Sequence, residues 1–195
     1  MNMRNAVEVV GRYVEDTGER AVSECSLHIR SDDLFRNWRR VSLSSDFVAR
    51  YYSYFFPYRE KARGVMSRDS AENSISFVLN ELVENTAKYS DAENKKVHIR
   101  IWLLESVLLF SVSNFITEKL CGSFLALAQE ILSGNAEELY IKRLEKNTEE
   151  SGGGSGLGYL TLINDYGITL GFKFEKTGDG IVRVTVQATM KHKEA

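Results

Sequence analysis

A carboxylate and a carboxamide stand four residues apart in the segment "ELVENTAKYS", as Glu81 and Asn85. In a helix, residues at this spacing lie one above the other on the same face. Glu81 could orient and deprotonate a water molecule or a hydroxyl group, and the side-chain oxygen of Asn85 could ligate Mg²⁺. Lys88, about one helical turn further on, could reach the same anion as that metal. The alternative is that these residues form the solvated face of an amphipathic helix.

A glycine-rich stretch, "SGGGSGLGYL", is a second place where chemistry could occur. Glycines let the backbone approach a ligand closely, and a helix that begins near Leu157 would point its free N–H groups and its positive dipole end at this loop. Backbone groups alone could then bind a phosphate. The candidate residues are Gly152, Gly153, Gly154, Gly156, Leu157 and Gly158. A flexible linker has a similar composition and is the alternative for this stretch taken by itself.

The elements that must position these residues can be predicted from periodicity. Apolar side chains recur at steps of three and four over residues 72–90, which predicts a helix there. The other predicted elements are a helix near 4–15, a strand at 22–30, a helix at 44–56 with Ser44 or Ser45 as N-cap, a hairpin of 96–104 with 107–114, helical structure over 118–147, a helix over 157–166 and a hairpin of 168–175 with 181–190. This order predicts an α+β fold, a two-layer sandwich with a mixed, antiparallel-rich sheet and helices on one face.

Composition narrows the class of protein. The 195 residues are 43% hydrophobic and 27% charged, which suits one soluble domain. We expect that domain at residues 21–195, after an N-terminal amphipathic helix or extension at 1–20. The apolar runs fall far short of the ~20 residues of a membrane span and no signal peptide is evident, so a cytoplasmic protein without membrane contact is expected. A net charge of −2 argues against nucleic-acid binding.

The two motifs together resemble those of the histidine-kinase-like ATPases, the superfamily of gyrase, histidine kinases and anti-sigma-factor serine kinases. "ELVENTAKYS" resembles their N box and "GGGSGLGYLTLINDYG" their glycine-rich G2 box. The resemblance implies that Glu81 is the general base, that Asn85 ligates Mg²⁺ and that Gly152 to Gly158 lie under the triphosphate of ATP. Length and element order resemble the small bacterial anti-sigma-type kinases, including the SiaB-like group. The resemblance covers roughly residues 20–190.

One motif departs from the family pattern. The family carries an Asp-x-Gly-x-Gly turn after a strand between the two boxes, and its Asp accepts a hydrogen bond from the adenine amino group. Here Asn114 stands at the Asp position and Ile116 where a glycine is expected. The Asn oxygen can still accept that bond but carries no charge. A β-branched residue would fill part of the base pocket or force the turn into another path.

Two functions therefore stay open. The resemblance implies an ATP- and Mg²⁺-dependent serine/threonine kinase that phosphorylates a STAS-domain antagonist protein in a partner-switching pathway. The departure at residues 114–116 instead favours a pseudo-ATPase that binds no nucleotide and serves as an interaction module for the same kind of partner. An unrelated α+β protein is the third alternative, and the sequence leaves a homodimer open.

Overall fold

The computed structural model describes residues 7–30, 38–57, 66–89, 96–149, 156–178 and 180–192. These residues form six strands and five helices. In chain order they are β1 (Val7–Gly11), β2 (Ser23–Arg30), α1 (Trp38–Ser53), α2 (Arg68–Tyr89), β3 (Lys96–Leu103), β4 (Val107–Thr117), α3 (Glu118–Ser133), α4 (Ala136–Glu149), α5 (Leu157–Tyr166), β5 (Thr169–Gly178) and β6 (Ile181–Lys191). None of the helices in these ranges is long and apolar enough to cross a membrane.

The strands form a single sheet in the order β1-β5-β6-β4-β3-β2. Every pairing among the described strands is antiparallel, including the central β4–β6 pair that joins the two predicted hairpins. The predicted α+β class and two-layer arrangement are confirmed, and the sheet is antiparallel throughout these pairings. Successive side chains along each strand point to opposite faces, so one face packs on the helices and the other does not.

The hydrophobic core lies between this sheet and the helices. From β4 it takes Leu108, Phe110 and Val112, which alternate with residues on the opposite face. From α2 it takes four residues of the predicted stripe, Ile75, Val78, Leu79 and Leu82, together with Val83, and the fifth stripe residue, Thr86, is also buried. Burial of that stripe sets the rotation of α2, and the rotation in turn determines which polar residues of the helix lie at the border of the core.

The predicted N-terminal helix over 4–15 is wrong for the residues that the structure describes. Residues Val7–Gly11 form β1, which pairs with β5 at one end of the sheet. β-branched valines favour extended backbone, and the edge of β5 offers unpaired N–H and C=O groups that a short strand can satisfy. The pairing of β1 with β5 therefore outweighed the helical spacing of Ala6, Val9 and Val10. Residues 1–6 lie outside the part of the chain that the structure describes.

Two predicted boundaries also differ. Helix α1 begins at Trp38, so Ser44 and Ser45 lie inside it and neither is its N-cap. Strand β4 continues through Asn114 to Thr117, where a turn was expected at 114–116. The reason is the length of β6, which supplies a backbone partner for each of these β4 residues.

Candidate functional site

Helix α5 lies along helix α2 and brings the two sequence motifs together. Its N-cap, Gly156, has a left-handed backbone with φ of 99°. Its first turn faces Glu81 and Asn85 of α2. Its last residue, Tyr166, stacks on Phe77 with ring centroids 4.7 Å apart and 12° between the planes. The two helices therefore run in opposite directions, with the glycine end of α5 at the middle of α2.

The closest approach between the motifs is at Gly158. A Cβ atom at this position would overlap the Oε2 atom of Glu81 and would lie 2.9 Å from its Cδ atom and 3.5 Å from Nδ2 of Asn85. Any other residue would have to displace the Glu81 side chain. The Glu81 carboxylate thus rests against the first turn of α5, where free N–H groups and the positive end of the helix dipole favour an anion.

Glu81 has the electrostatic properties of a proton acceptor. The side chain is half-buried, and burial raises the pKa of its carboxyl group. The nearby Glu84 raises this pKa further, and Lys88 opposes the increase. Lys88 itself is exposed and forms an ion pair of 2.8 Å with Glu84 on the helix surface. A carboxylate with a raised pKa binds protons more readily near neutral pH, as a general base requires.

Asn85 is buried and incompletely satisfied. Only 2% of the residue is exposed, yet its Nδ2 atom has no hydrogen-bond partner among the described residues. Leaving such a donor unpaired costs about 1–3 kcal/mol. Rotation of the amide by 180° would present the oxygen, a possible metal ligand, to the same space. A buried polar group without a partner requires an explanation, and a bound water molecule, ion or ligand would supply one.

Tyr159 is a further component of the site that the sequence did not indicate. It is completely buried, one residue after Gly158, and its ring packs edge-on against Phe172 with centroids 5.5 Å apart. Burial raises the pKa of its phenol, and the nearby Tyr89 and Glu81 raise it further. The phenol therefore stays protonated, and the Glu81 carboxylate lies close enough to contribute to the raised pKa of Tyr159. The only sequence signal was an aromatic residue directly after the glycines.

The residues aligned with the adenine-binding turn belong to the core. Asn114 pairs with Val184 in the sheet, and its Nδ2 atom donates a long hydrogen bond of 3.5 Å to the backbone oxygen of Thr86 in α2. Ile116 is completely buried. Close by, Tyr89 stacks on Phe124 with centroids 4.5 Å apart and 9° between the planes. Protein side chains thus fill the space between the end of α2, α3 and the sheet.

The remaining candidate residues are only partly placed. Gly156 and Leu157 lie at the start of α5 directly before Gly158, but a Cβ atom at Gly156 would meet Arg143, Leu127 and Ile131 rather than Glu81 or Asn85. Gly152, Gly153 and Gly154 lie outside the described residues. No group of three or more His, Cys, Asp or Glu side chains that could hold a metal ion occurs in the part of the chain that the structure describes. A divalent cation at Asn85 would therefore need further oxygen ligands from a bound phosphate.

No family model and no curated protein matches the sequence. Among solved structures, the chain is similar to a chain in the crystal structure of the SiaB–SiaC complex from Pseudomonas aeruginosa. The identity is 17%, the alignment covers 89% of this chain and 93% of that chain, and the TM-score is 0.63. At this identity the similarity establishes a shared fold, the two-layer α+β sandwich that the order of elements predicted.

Proposed function

We propose that this protein is a partner-switching regulator that binds a small antagonist protein and carries the remains of an ATP site. The proposal is supported by the fold that it shares with a chain of a two-protein complex and by the two motifs that resemble a SiaB-like kinase. The observation that carries it is the meeting of Glu81, Asn85 and Gly158 at the start of α5. Residues from distant motifs converge there at a polar, half-buried position.

The protein-binding part of the proposal has its own structural support. Helix α1 and the turn after it expose large apolar side chains, with exposed fractions of 72% for Phe47 and 60% for Tyr54. The same surface also exposes Tyr51 and Phe55 around Arg50. Apolar side chains clustered in this way on a surface mark a protein contact more often than an ordinary solvated face. We propose this aromatic patch as the docking surface for a STAS-domain partner.

The described residues fit the metal and phosphate half of an ATP site. Asn85 could hold Mg²⁺ through its side-chain oxygen, and the first turn of α5 could donate backbone N–H groups to phosphate oxygens. Bound Mg·ATP would supply the phosphoryl group for transfer to a serine or threonine of the partner. Glu81, whose carboxylate lies against this turn in the structure, would have to move to accept the proton of that hydroxyl group, and ADP would be the leaving group.

The adenine half does not fit in the same way, and this favours the second candidate function. Asn114 and Ile116 are buried within strand β4, and the aromatic pair of Tyr89 and Phe124 fills the adjoining space. On this basis the protein would bind its partner without nucleotide, as a pseudo-ATPase. Both candidates use the aromatic patch, and they differ in whether the protein binds nucleotide and transfers a phosphoryl group.

Titration of the purified protein with Mg·ATP by calorimetry separates the two candidates. The kinase predicts micromolar affinity that is lost in Asn85→Ala and a transfer of labelled phosphate to a STAS-domain protein from the same organism. The pseudo-ATPase predicts no heat of binding and no transfer, together with binding of that STAS-domain protein. In either case Phe47→Ser with Tyr54→Ser should weaken partner binding, whereas Leu144→Ser on the exposed side of α4 serves as the matched control. Equal partner affinity in all three proteins would refute the docking surface.

A further inference from the structure

The face of the sheet that points away from the helices carries two rows of polar side chains. In the register of β3, β4 and β6, Arg100 lies opposite Ser111 and Ser111 opposite Gln187. The neighbouring row, one pleat along, is His98, Ser113 and Thr185. Directly opposite residues in antiparallel strands have Cβ atoms about 4.5–5.5 Å apart, so each row is a continuous line of hydrogen-bonding groups.

A segment of irregular chain, residues 12–22, crosses this face, and we call it the strap. At one end the Arg12 N–H donates to the backbone oxygen of Leu170 at 3.0 Å, and at the other the Val22 N–H donates to that of Leu103 at 2.7 Å. Between these ends the Gln187 amide is bound twice to Val14. Its Oε1 accepts the Val14 N–H at 2.8 Å and its Nε2 donates to the Val14 oxygen at 2.9 Å. The strap is therefore anchored to the sheet.

The strap lies in direct contact with β5 where it leaves β1. A Cβ atom at Gly171 would come within 2.6 Å of the backbone nitrogen of Tyr13, so the backbones meet only because residue 171 is glycine. Next to this crossing, Lys173 lies 5.6 Å from the centre of the Tyr13 ring and forms an ion pair of 2.8 Å with Glu15 of the strap. These contacts fix one wall of the space between strap and sheet.

That space is a cavity of about 420 Å³, lined by strap residues 13–17 on one side and by the polar rows on the other. This volume lies within the range of about 300–1,000 Å³ that is typical of small-molecule sites. A plain solvated sheet face would be open, whereas here Ser111, Thr185 and Gln187 are buried although they face away from the core. The strap has thus turned part of the outer face into a partly enclosed polar cavity.

The charges in the cavity are not evenly balanced. Glu175 pairs with Arg183 at 3.0 Å and with Lys173 at 3.2 Å, which neutralises that side. Arg100 is exposed and forms no ion pair within the described residues. Burial lowers the pKa of His98, and the charged groups that lower it further, His28, Arg100, Lys96 and Arg183, are all basic. Arg100 is therefore a basic group of the cavity that forms no ion pair with a carboxylate of the described residues, although Glu15 and Asp16 also line the cavity.

We propose that this cavity binds a small molecule that carries a carboxylate or phosphate group, held by the guanidinium of Arg100 and the hydroxyl groups of Ser111 and Ser113. A guanidinium binds such groups through two parallel hydrogen bonds, and neighbouring hydroxyl groups complete the coordination. A small molecule fits better than an acidic segment of a protein because the strap closes one side of the cavity. The site lies on the opposite face of the sheet from Glu81 and Asn85, and it does not depend on the function proposed for those residues.

The test uses the ¹⁵N-labelled 195-residue chain and two probes, inorganic phosphate and malonate, with sodium chloride at equal ionic strength as the reference. We expect saturable shifts of the backbone amides of His98, Arg100, Ser111 and Ser113 with at least one probe. Because hydrogen bonds to charged groups are the stronger ones, Arg100→Gln should weaken this binding by about tenfold or more. Arg50→Gln, an exposed arginine on α1, should leave it unchanged, and the spectrum itself reports whether each variant is folded.

Three outcomes would overturn the proposal. Shifts that grow linearly and match those with sodium chloride would indicate ionic screening alone. Equal affinity of Arg100→Gln and Arg50→Gln for the probe would show that the Arg100 guanidinium does not contribute to binding. Hexaglutamate serves as a third probe. If it shifts amides along the whole outer face as far as Arg30 and Lys96, while phosphate and malonate shift none, the surface binds an acidic protein segment instead.

Discussion

The start of α5 and the end of β4, where the two halves of the proposed ATP site would lie, differ in how their polar residues relate to the hydrophobic core. At the start of α5, Glu81 and Asn85 keep polar groups half-buried or buried, and Nδ2 of Asn85 has no partner among the described residues. At the end of β4, Asn114 donates to the backbone of α2 and Ile116 is completely buried. Both halves contain one buried asparagine, and the one on β4 donates a hydrogen bond that joins the strand to α2.

This difference separates a site from a structural contact. A buried amide that bonds to the backbone stabilises the fold, whereas one that is left unpaired lowers the free energy of unfolding. Natural proteins keep such a cost where a function depends on it. Under the proposed function, a site would be retained where α5 meets α2, whereas Asn114 and Ile116 belong to the core.

The largest expected effect comes from replacing Ile116 with glycine. Removal of a completely buried side chain from a central strand should lower the free energy of unfolding by about 4 kcal/mol, as measured by urea denaturation. Ser113→Gly, at a partly buried position on the opposite face of the same strand, is the control and should cost about 1 kcal/mol or less. A stable Asn114→Asp, Ile116→Gly double variant that binds ATP would contradict this expectation. It would show that residues 114–116 can form an adenine-binding turn and are not fixed as part of the core.

The two asparagines should respond in opposite directions to alanine. Asn114→Ala removes the bond to Thr86 and should lower the free energy of unfolding by about 1–2 kcal/mol. Asn85→Ala removes an unpaired buried amide and should change it little, or raise it by up to about 1 kcal/mol. Urea denaturation of both variants without ligand measures the difference. Equal decreases in the free energy of unfolding would mean that Asn85, like Asn114, has only a structural role.

A double-mutant cycle should detect the contact of Gly158 with Glu81. In the unaltered protein, Gly158→Ala forces the Glu81 side chain to move and should cost about 1 kcal/mol. In the Glu81→Ala background the same change removes a helix glycine without a clash, and should raise the free energy of unfolding by about 0.5–1 kcal/mol. Additive effects in thermal or urea denaturation would show that the carboxylate does not rest on α5.

The smallest expected effect is the pH dependence of Glu81→Gln. The folded protein raises the pKa of the Glu81 carboxyl above its usual 4.5, mainly through burial. The protonated form is thus favoured by folding, and its contribution to stability is complete below pH 4.5 and is lost as the pH rises through the raised pKa. Glu81→Gln should therefore be more stable than the unaltered protein at neutral pH, with the difference vanishing in acid. If Glu81→Gln were less stable than the unaltered protein at neutral pH, the helix dipole would outweigh burial.

Much of this architecture could be predicted from local patterns. The apolar steps over 72–90 predicted α2, the alternating runs predicted both hairpins, and the glycines before an apolar segment predicted α5, all of which the structure contains. These elements are predictable because the periodicity of their apolar residues indicates which face will be buried. Burial of that face is the main source of their stability. The same periodicity placed Glu81 and Asn85 at the border of the core.

Only the tertiary structure decided which contacts those elements make. Residues Val7–Gly11 became a strand because the edge of β5 had backbone groups to pair, and Ile116 entered the core because β6 is long enough to continue the ladder. Likewise, Gly158 meets Glu81 only because α5 packs on α2. Such outcomes depend on partners that are distant in the chain, and backbone hydrogen bonds and close packing with distant partners can outweigh the local preference of a short segment.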